Sequence, residues 1–260
     1  MTLYLVGPQP EQLITAANND LHQLYQWCIS NRLTINTDKT FFMLFTTKKY
    51  HQLPLLQINN CNISRSSHIK FLGVIYDESM NFKLHIENLT LRISRLIALL
   101  HQIKDLMPPY VLKCIHYAPI YPLLTYCNAI WCTTFPTYMI PLQLQLKKIV
   151  RIITNSTYLE NTQALFKQTQ LLRLEDITKV AISTLMYRIH STKRNVVPVH
   201  NHDTRQCDQL RPPPHRTSKY RQSTLYLGPV YWNDIPPNIR NSPSVPTFKH
   251  KLKRHILRHY

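Results

Sequence analysis

Glycine is nearly missing from this chain: among 260 residues only Gly7, Gly73 and Gly228 are glycine. Phosphate-cradling loops of the Gly-x-x-x-x-Gly-Lys and Gly-x-Gly-x-x-Gly kinds need several, because backbone N–H groups must approach phosphate where a Cβ would intrude. Both kinds are excluded. Cysteine pairing is missing too. Cys28, Cys61, Cys114, Cys127, Cys132 and Cys207 contain no Cys-x-x-Cys pair, and their irregular spacing argues for reduced thiols over a disulfide framework. There is no uncharged apolar run of the roughly twenty residues that a spanning helix needs. The most apolar zone, residues 111–135, holds Lys113 and His116 and is interrupted by Pro119 and Pro122, which predicts a core helix pair. The start of the chain has no basic stretch and meets Gly7-Pro8 before any long apolar segment, unlike a secretory leader. The expectation is an intracellular protein with no membrane partner.

Acidic residues are also few, 13 against 31 Lys and Arg, for a net charge of +18. The surplus is uneven: residues 1–80 hold 6 basic and 5 acidic side chains, 81–190 hold 12 and 5, and 191–260 hold 13 and 3. A clustered basic surface attracts polyphosphate through counterion release, independently of sequence. Nucleic acid is therefore the expected partner, with a plain solvated surface or a tail for acidic proteins as alternatives. An apolar content of 44% suffices for a core, and the length allows one or two domains. Residues 198–214, poor in apolar side chains and ending in three consecutive prolines, read as a linker. His200, His202, Cys207 and His215 form a loose cluster in and beside it, and Cys127 and Cys132 lie near each other. Neither pattern has the paired close spacing of a zinc site, so no metal site is expected.

Residues 21–45, LHQLYQWCISNRLTINTDKTFFMLF, carry the most local information. Leu13, Ala17, Leu21, Leu24 and Cys28 recur at three- and four-residue steps, with Trp27 beside the last, which predicts an amphipathic helix. Residues 31–40 break that period with Asn, Thr, Asp and Lys, and the apolar run at residues 41–45 has the length of a buried strand. Lys39 is thus placed at a strand entrance. FLGV follows at residues 71–74.

On these residues the chain resembles the reverse transcriptase of non-LTR, LINE-type retrotransposons of the jockey and chicken-repeat-1 kind, from late in the palm to the C-terminus. The helix ending at Trp27, the NRLTINTDKT turn and the FFMLF strand look like the fourth palm motif. FLGVIYD looks like the hairpin that grips the primer end, at Phe71, Leu72 and Gly73. YAPIYPLLTYCNAIW, QLKKIVRIIT and LGPVYWNDIPPNIRNSPSVPTFKHKLKRHI are similar to the region beyond the polymerase core. The resemblance implies RNA-directed DNA synthesis as the ancestral activity and magnesium as the complete enzyme's cofactor. It also implies that MTLYLVG is the return arm of a hairpin whose turn carries Tyr-Ala-Asp-Asp. Met1 is then expected just after that turn, with an N-terminal polymerase portion missing and no cofactor held by this chain. Two-metal transfer needs carboxylates holding ions about 3.5–4 Å apart, and nothing in the chain replaces them. By resemblance Lys39 marks a vestigial general-acid position beside the pyrophosphate; without the aspartates it reads as a solvated turn lysine next to Asp38. Asp77 and Glu78 read as turn and cap residues, and Glu175 and Asp176, as helical neighbours, face apart.

Phe82, Ile86, Leu89, Ile93, Leu96, Ile97, Leu100 and Ile103 predict a long helix, which by resemblance is the first thumb helix; Arg92 and Arg95 fall off its apolar stripe. Residues 142–153 predict another, with Leu142, Leu146, Ile149, Val150 and Ile153 inside and Lys147, Lys148 and Arg151 on one flank. At residues 248–260, Phe248, Leu252, Ile256 and Leu257 oppose a basic set that includes Lys251 and Arg254; this segment could dock, bind RNA or lie on an anionic membrane. Arg92, Arg95, Lys147, Lys148, Arg151, Lys251 and Arg254 are the candidate nucleic-acid contacts. The expected fold is α+β: at 1–80 a partial polymerase palm sheet of three or four strands with one helix, then a mainly α-helical thumb-like region at 81–195, then a Pro-rich linker and basic helix at 196–260. The alternative is a basic helical module that binds RNA or protein without enzymatic activity.

Overall fold

The computed structural model describes residues 2–46, 48, 50, 53–191 and 209–260. His200, His202, Cys207 and most of the proline-rich 198–214 segment lie outside the described residues. The fold is α+β and divides into two compact units, Met1–Asn81 and Phe82–Tyr260.

The first unit is built on one amphipathic helix, α1 (Pro10–Ser30). Pro10 opens it, where a missing N–H costs nothing. Ile14, Ala17, Leu21 and Cys28 are buried along one stripe. Then come β1 (Phe41–Phe42), β2 (Gln57–Ile58), β3 (Cys61–Asn62), β4 (Ser64–Arg65), β5 (His68–Phe71) and β6 (Val74–Asp77). They pair as β1 with β4 in parallel, and as two antiparallel hairpins, β2 with β3 and β5 with β6. Asn59 and Asn60 (φ 46° and 62°) turn the first hairpin, in the left-handed conformation that Asn tolerates. Leu56, Ile58 and Ile63 close on the α1 stripe. Asn18 fixes the register from the helix side, donating to Leu55 O (3.0 Å) and accepting from Gln57 N (2.9 Å).

The strand content corrects the sequence reading. Residues 2–6 form no strand, and the strand expected at 41–45 is only Phe41–Phe42. No sheet among the described residues exceeds two strands, so the three- or four-stranded palm sheet is not formed. A strand persists only where a neighbour takes up its backbone groups. Tyr4 and Val6 are exposed, and of this segment Leu5 alone packs against the α1 cluster, which anchors a side chain but supplies no ladder.

The second unit is helical: α2 (Lys83–Ile103), α3 (Pro109–Ile115), a π turn (His116–Ile120), α4 (Tyr121–Thr125), α5 (Asn128–Trp131), α6 (Pro136–Thr154), α7 (Thr162–Thr169), α8 (Leu174–Ser191), α9 (Ser218–Gln222), α10 (Thr224–Asn233), α11 (Pro237–Arg240) and α12 (Val245–Arg258). The helix pair expected at 111–135 is instead the broken series α3, π turn, α4 and α5. Pro119 is the reason, because it has no N–H and its ring collides with the carbonyl of Ile115, so the register widens there. Trp131 is fully buried, with Nε1 donating to Tyr126 O at 2.7 Å.

Helix α8 is buried along much of its girth and packs against α10 and α12. Gly228 permits the α10 contact, since a Cβ there would meet Met186 Sδ at 2.5 Å. The Tyr187 ring stacks on Phe248 of α12 at 4.5 Å. Tyr260 Oη donates to Asp176 Oδ2 and accepts from Arg173 N (2.9 Å). Residues 209–214 are docked in part: Leu210 is buried, and its N–H and C=O bond the Asn233 side chain at 2.9 Å each.

Candidate nucleic-acid interface

In the second unit, two cavities lie along the seam between the packed helices α2 and α6. Their apolar periods put Ile86, Leu89, Ile93, Ile97 and Leu100 of one, and Leu142, Leu146, Ile149, Val150 and Ile153 of the other, in the interior. Leu96 and Ile103 are half-buried at the margin. The two helices run parallel, because Ile86 and Thr90 line the same cavity as Thr137 and Pro141, and Ser94 and His101 the same one as Gln145 and Lys148. Gln145 Nε2 donates to Ser94 Oγ at 2.7 Å.

The groove changes character along its length. Near the N-terminal ends, a cavity of about 550 Å³ is walled by Ile86, Leu91, Tyr138 and Pro141, with Lys83 and Glu87 paired at its rim. Near the C-terminal ends, one of about 470 Å³ is lined by Ser94, His101, Gln102, Gln145 and Lys148 and has no carboxylate. That end presents the Lys148 ammonium and the side-chain amides of Gln102 and Gln145 beside Ile97 and Ala98.

Arg92 and Arg95 of α2, Lys147 and Lys148 of α6, and Lys251 and Arg254 of α12 are all exposed. None of these six is in an ion pair among the described residues. Arg151 differs. It is half-buried, its guanidinium lies over the Tyr158 ring at 5.1 Å, and Nη2 donates to Glu160 O at 3.4 Å. Arg151 therefore holds its own loop. On α12, Lys253 sits over the Tyr121 ring at 5.0 Å, while Phe248, Leu252 and Ile256 are buried.

Two buried histidines lie behind this surface. His85 meets Trp131 edge-on at 5.6 Å, and its pKa is lowered to about 4 by burial and by the Arg92 charge. His116 is 2% exposed, its Nδ1 has no hydrogen-bond partner, and burial together with Lys113 lowers it to about 4. Both are neutral at pH 7 and add nothing to the cationic surface.

In the first unit, Phe71 and Leu72 stand at the tip of the β5–β6 hairpin, 44% and 72% exposed. The turn has positive φ at Leu72 (45°) and Gly73 (82°). Gly73 adopts this freely, whereas Leu72 does so at a steric cost, leaving an apolar tip in water. Lys39 ends the short 3₁₀ turn Thr37–Lys39 with its side chain exposed, and its N–H bonds Asn36 Oδ1 at 3.0 Å. Asp77 Oδ1 accepts from the N–H groups of Ser79 and Asn81, and Glu78 pairs with Arg65 at 2.7 Å. Asp176 is engaged with Arg173 and Tyr260, and Glu175 accepts from Gln143.

No group of three or more His, Cys, Asp or Glu side chains able to hold a metal ion occurs among the described residues. The magnesium pair of the resembled chemistry does not fit the residues described, and no step is derived through it. His215 of the sequence cluster packs edge-on to Tyr226 at 4.6 Å, and Cys132, whose pKa burial pushes up to about 12, accepts from Asn128 at 3.1 Å.

The sequence pointed to Gln102 as lying off the apolar stripe of α2 but not to Ser94, His101 and Gln145, none of which is a lysine or arginine. Their signal was spacing: Ser94 and His101 are seven apart and Gln145 and Lys148 three apart, so each pair shares a helix flank. Tyr158 and Leu159 were missed as well. No helix of the described residues is long and apolar enough to cross a membrane. No protein-family model, curated protein or solved structure matches the chain.

Proposed function

We propose that this chain is the late-palm-to-C-terminal part of a retroelement-type RNA-directed DNA polymerase, and that by itself it binds nucleic-acid backbone without extending a primer. The motif resemblance at residues 21–45, 71–77 and beyond supports the polymerase ancestry. The observation that carries the binding is the placement of Arg92, Arg95, Lys147, Lys148, Lys251 and Arg254, all exposed and none in an ion pair among the described residues. Cations left without carboxylate partners on outward helix flanks exchange condensed counterions for phosphates, which drives sequence-independent binding. The groove beside Lys148 adds side chains able to donate to phosphate or sugar oxygens: Gln102, His101 and the second N–H of Gln145. In this reading the palm-like unit is a remnant, and its apolar Phe71–Leu72 tip is the surface that would press on a primer end in the complete enzyme.

The test is anisotropy of a labelled RNA/DNA hybrid titrated with the full chain and with a variant carrying Gln at these six positions. Loss of most of the binding, with an unchanged melting temperature, is expected. Equal affinity for both proteins removes the basis of the proposal.

A further inference from the structure

The loop between α6 and α7 combines two properties that normally exclude each other. Its backbone is held at many points. Asn155 closes α6 in the left-handed conformation (φ 50°), Ser156 N donates to Arg151 O (3.0 Å), and Thr154 Oγ1 and Ser156 Oγ share a hydrogen bond (2.7 Å). Asn161 then caps α7 through Gln163 N at 2.9 Å. Yet Tyr158 is 80% exposed and Leu159 92% exposed. Fold stability gains nothing from fixing large apolar side chains in water.

Arg151 explains how the ring is held. Its guanidinium covers one face of Tyr158 at 5.1 Å while Nη2 bonds the Glu160 carbonyl, so the ring is buttressed from behind and open in front. Exposed Lys147 and Lys148 lie four and three residues before Arg151, about one turn, on the same flank of α6 and roughly 4.5–6 Å away along the axis.

We infer that Tyr158 is a stacking platform for an unpaired base of single-stranded nucleic acid, with Lys147 and Lys148 receiving the adjoining phosphates. This rests on the nucleic-acid reading above and narrows it to a strand form. A base in a duplex already has neighbours on both faces, whereas an unpaired base offers a free π face to a pre-positioned ring. Stacking tolerates every base, so the site selects single strands and not sequence.

The experiment compares Tyr158→Ala and Tyr158→Phe with the unaltered full chain, using a labelled oligothymidylate and a mixed-sequence duplex of equal length in one buffer. Tyr158→Ala is expected to weaken oligothymidylate binding by about 5- to 100-fold, to leave duplex binding within about twofold, and to keep the melting temperature, while Tyr158→Phe binds as the original does. A Tyr158→Trp variant provides a second readout: its added emission is quenched by oligothymidylate and not by duplex. Unchanged oligothymidylate affinity in Tyr158→Ala, or an equal loss on duplex, overturns the platform and leaves the nucleic-acid reading standing. If the unaltered chain binds neither probe, both fall.

Discussion

Gln145 on α6 donates a hydrogen bond across the groove to Ser94 Oγ on α2 at 2.7 Å, and this polar contact joins two helices whose buried stripes are largely aliphatic. Aliphatic packing tolerates sliding better than a directional bond does, so the pair fixes the parallel register. Ser94 in turn donates to Thr90 O at 2.9 Å, which orients its lone pairs toward Gln145.

A double-mutant cycle on this contact is the first prediction. Ser94→Ala and Gln145→Ala should each destabilise by about 0.5–1.5 kcal/mol in urea, with a double variant less destabilised than the sum. Strict additivity would mean that the two side chains do not interact in solution.

His116 should make the second unit sensitive to acid. Its folded pKa, about 4, lies below the ordinary 6.5, so between those values the unfolded chain binds more protons and stability rises with pH. As pH falls from about 6.5 to 4, this residue alone should cost on the order of 3 kcal/mol. Urea midpoints at pH 7 and pH 4.5 should therefore differ less in His116→Leu than in the unaltered chain. Parallel pH profiles for the two proteins would show that His116 is not buried neutral.

Hydrogen exchange should separate the two units. The ladders of β1 with β4 and of β2 with β3 span two residues per strand, and such short pairs add little cooperative stability. Their amides should exchange orders of magnitude faster than those of Leu146, Ile149 and Ile153 on α6. Equal protection of Phe42 and Ile149 would mean that the first unit is more cooperative than its pairing suggests.

The chain alone should incorporate no dNTP on a DNA-primed RNA template in magnesium or manganese, because no carboxylate group able to hold two metals occurs among the described residues. Primer extension above a protein-free control would require a ligand set elsewhere in the chain.

The helices were the legible part of this sequence. The stripe at Ile86, Leu89, Ile93, Ile97 and Leu100 and that at Leu142, Leu146, Ile149, Val150 and Ile153 gave α2 and α6, because a 3.6-residue period leaves a mark at every turn. Strands at residues 2–6 and 41–45 were misjudged: an apolar run shows a wish for burial but not whether a neighbouring strand exists. The π turn could be suspected from Pro119 but not its register. Candidate cations could be named from charge, yet Arg151 and Lys253 look like their neighbours in sequence and differ in what they cover, Tyr158 and Tyr121. Contacts to residues distant in the chain, such as Tyr260 with Asp176, leave no local pattern.

The most direct test of the central claim is the salt dependence of binding by the unaltered full chain to a short RNA/DNA hybrid. If about four to six of the exposed cations meet phosphates, log K should fall linearly with log salt, with a slope of about −4 to −5, and most of the affinity should be gone between about 50 and 200 mM. A binding constant that stays flat across that range, or no binding at the lowest salt, contradicts the account.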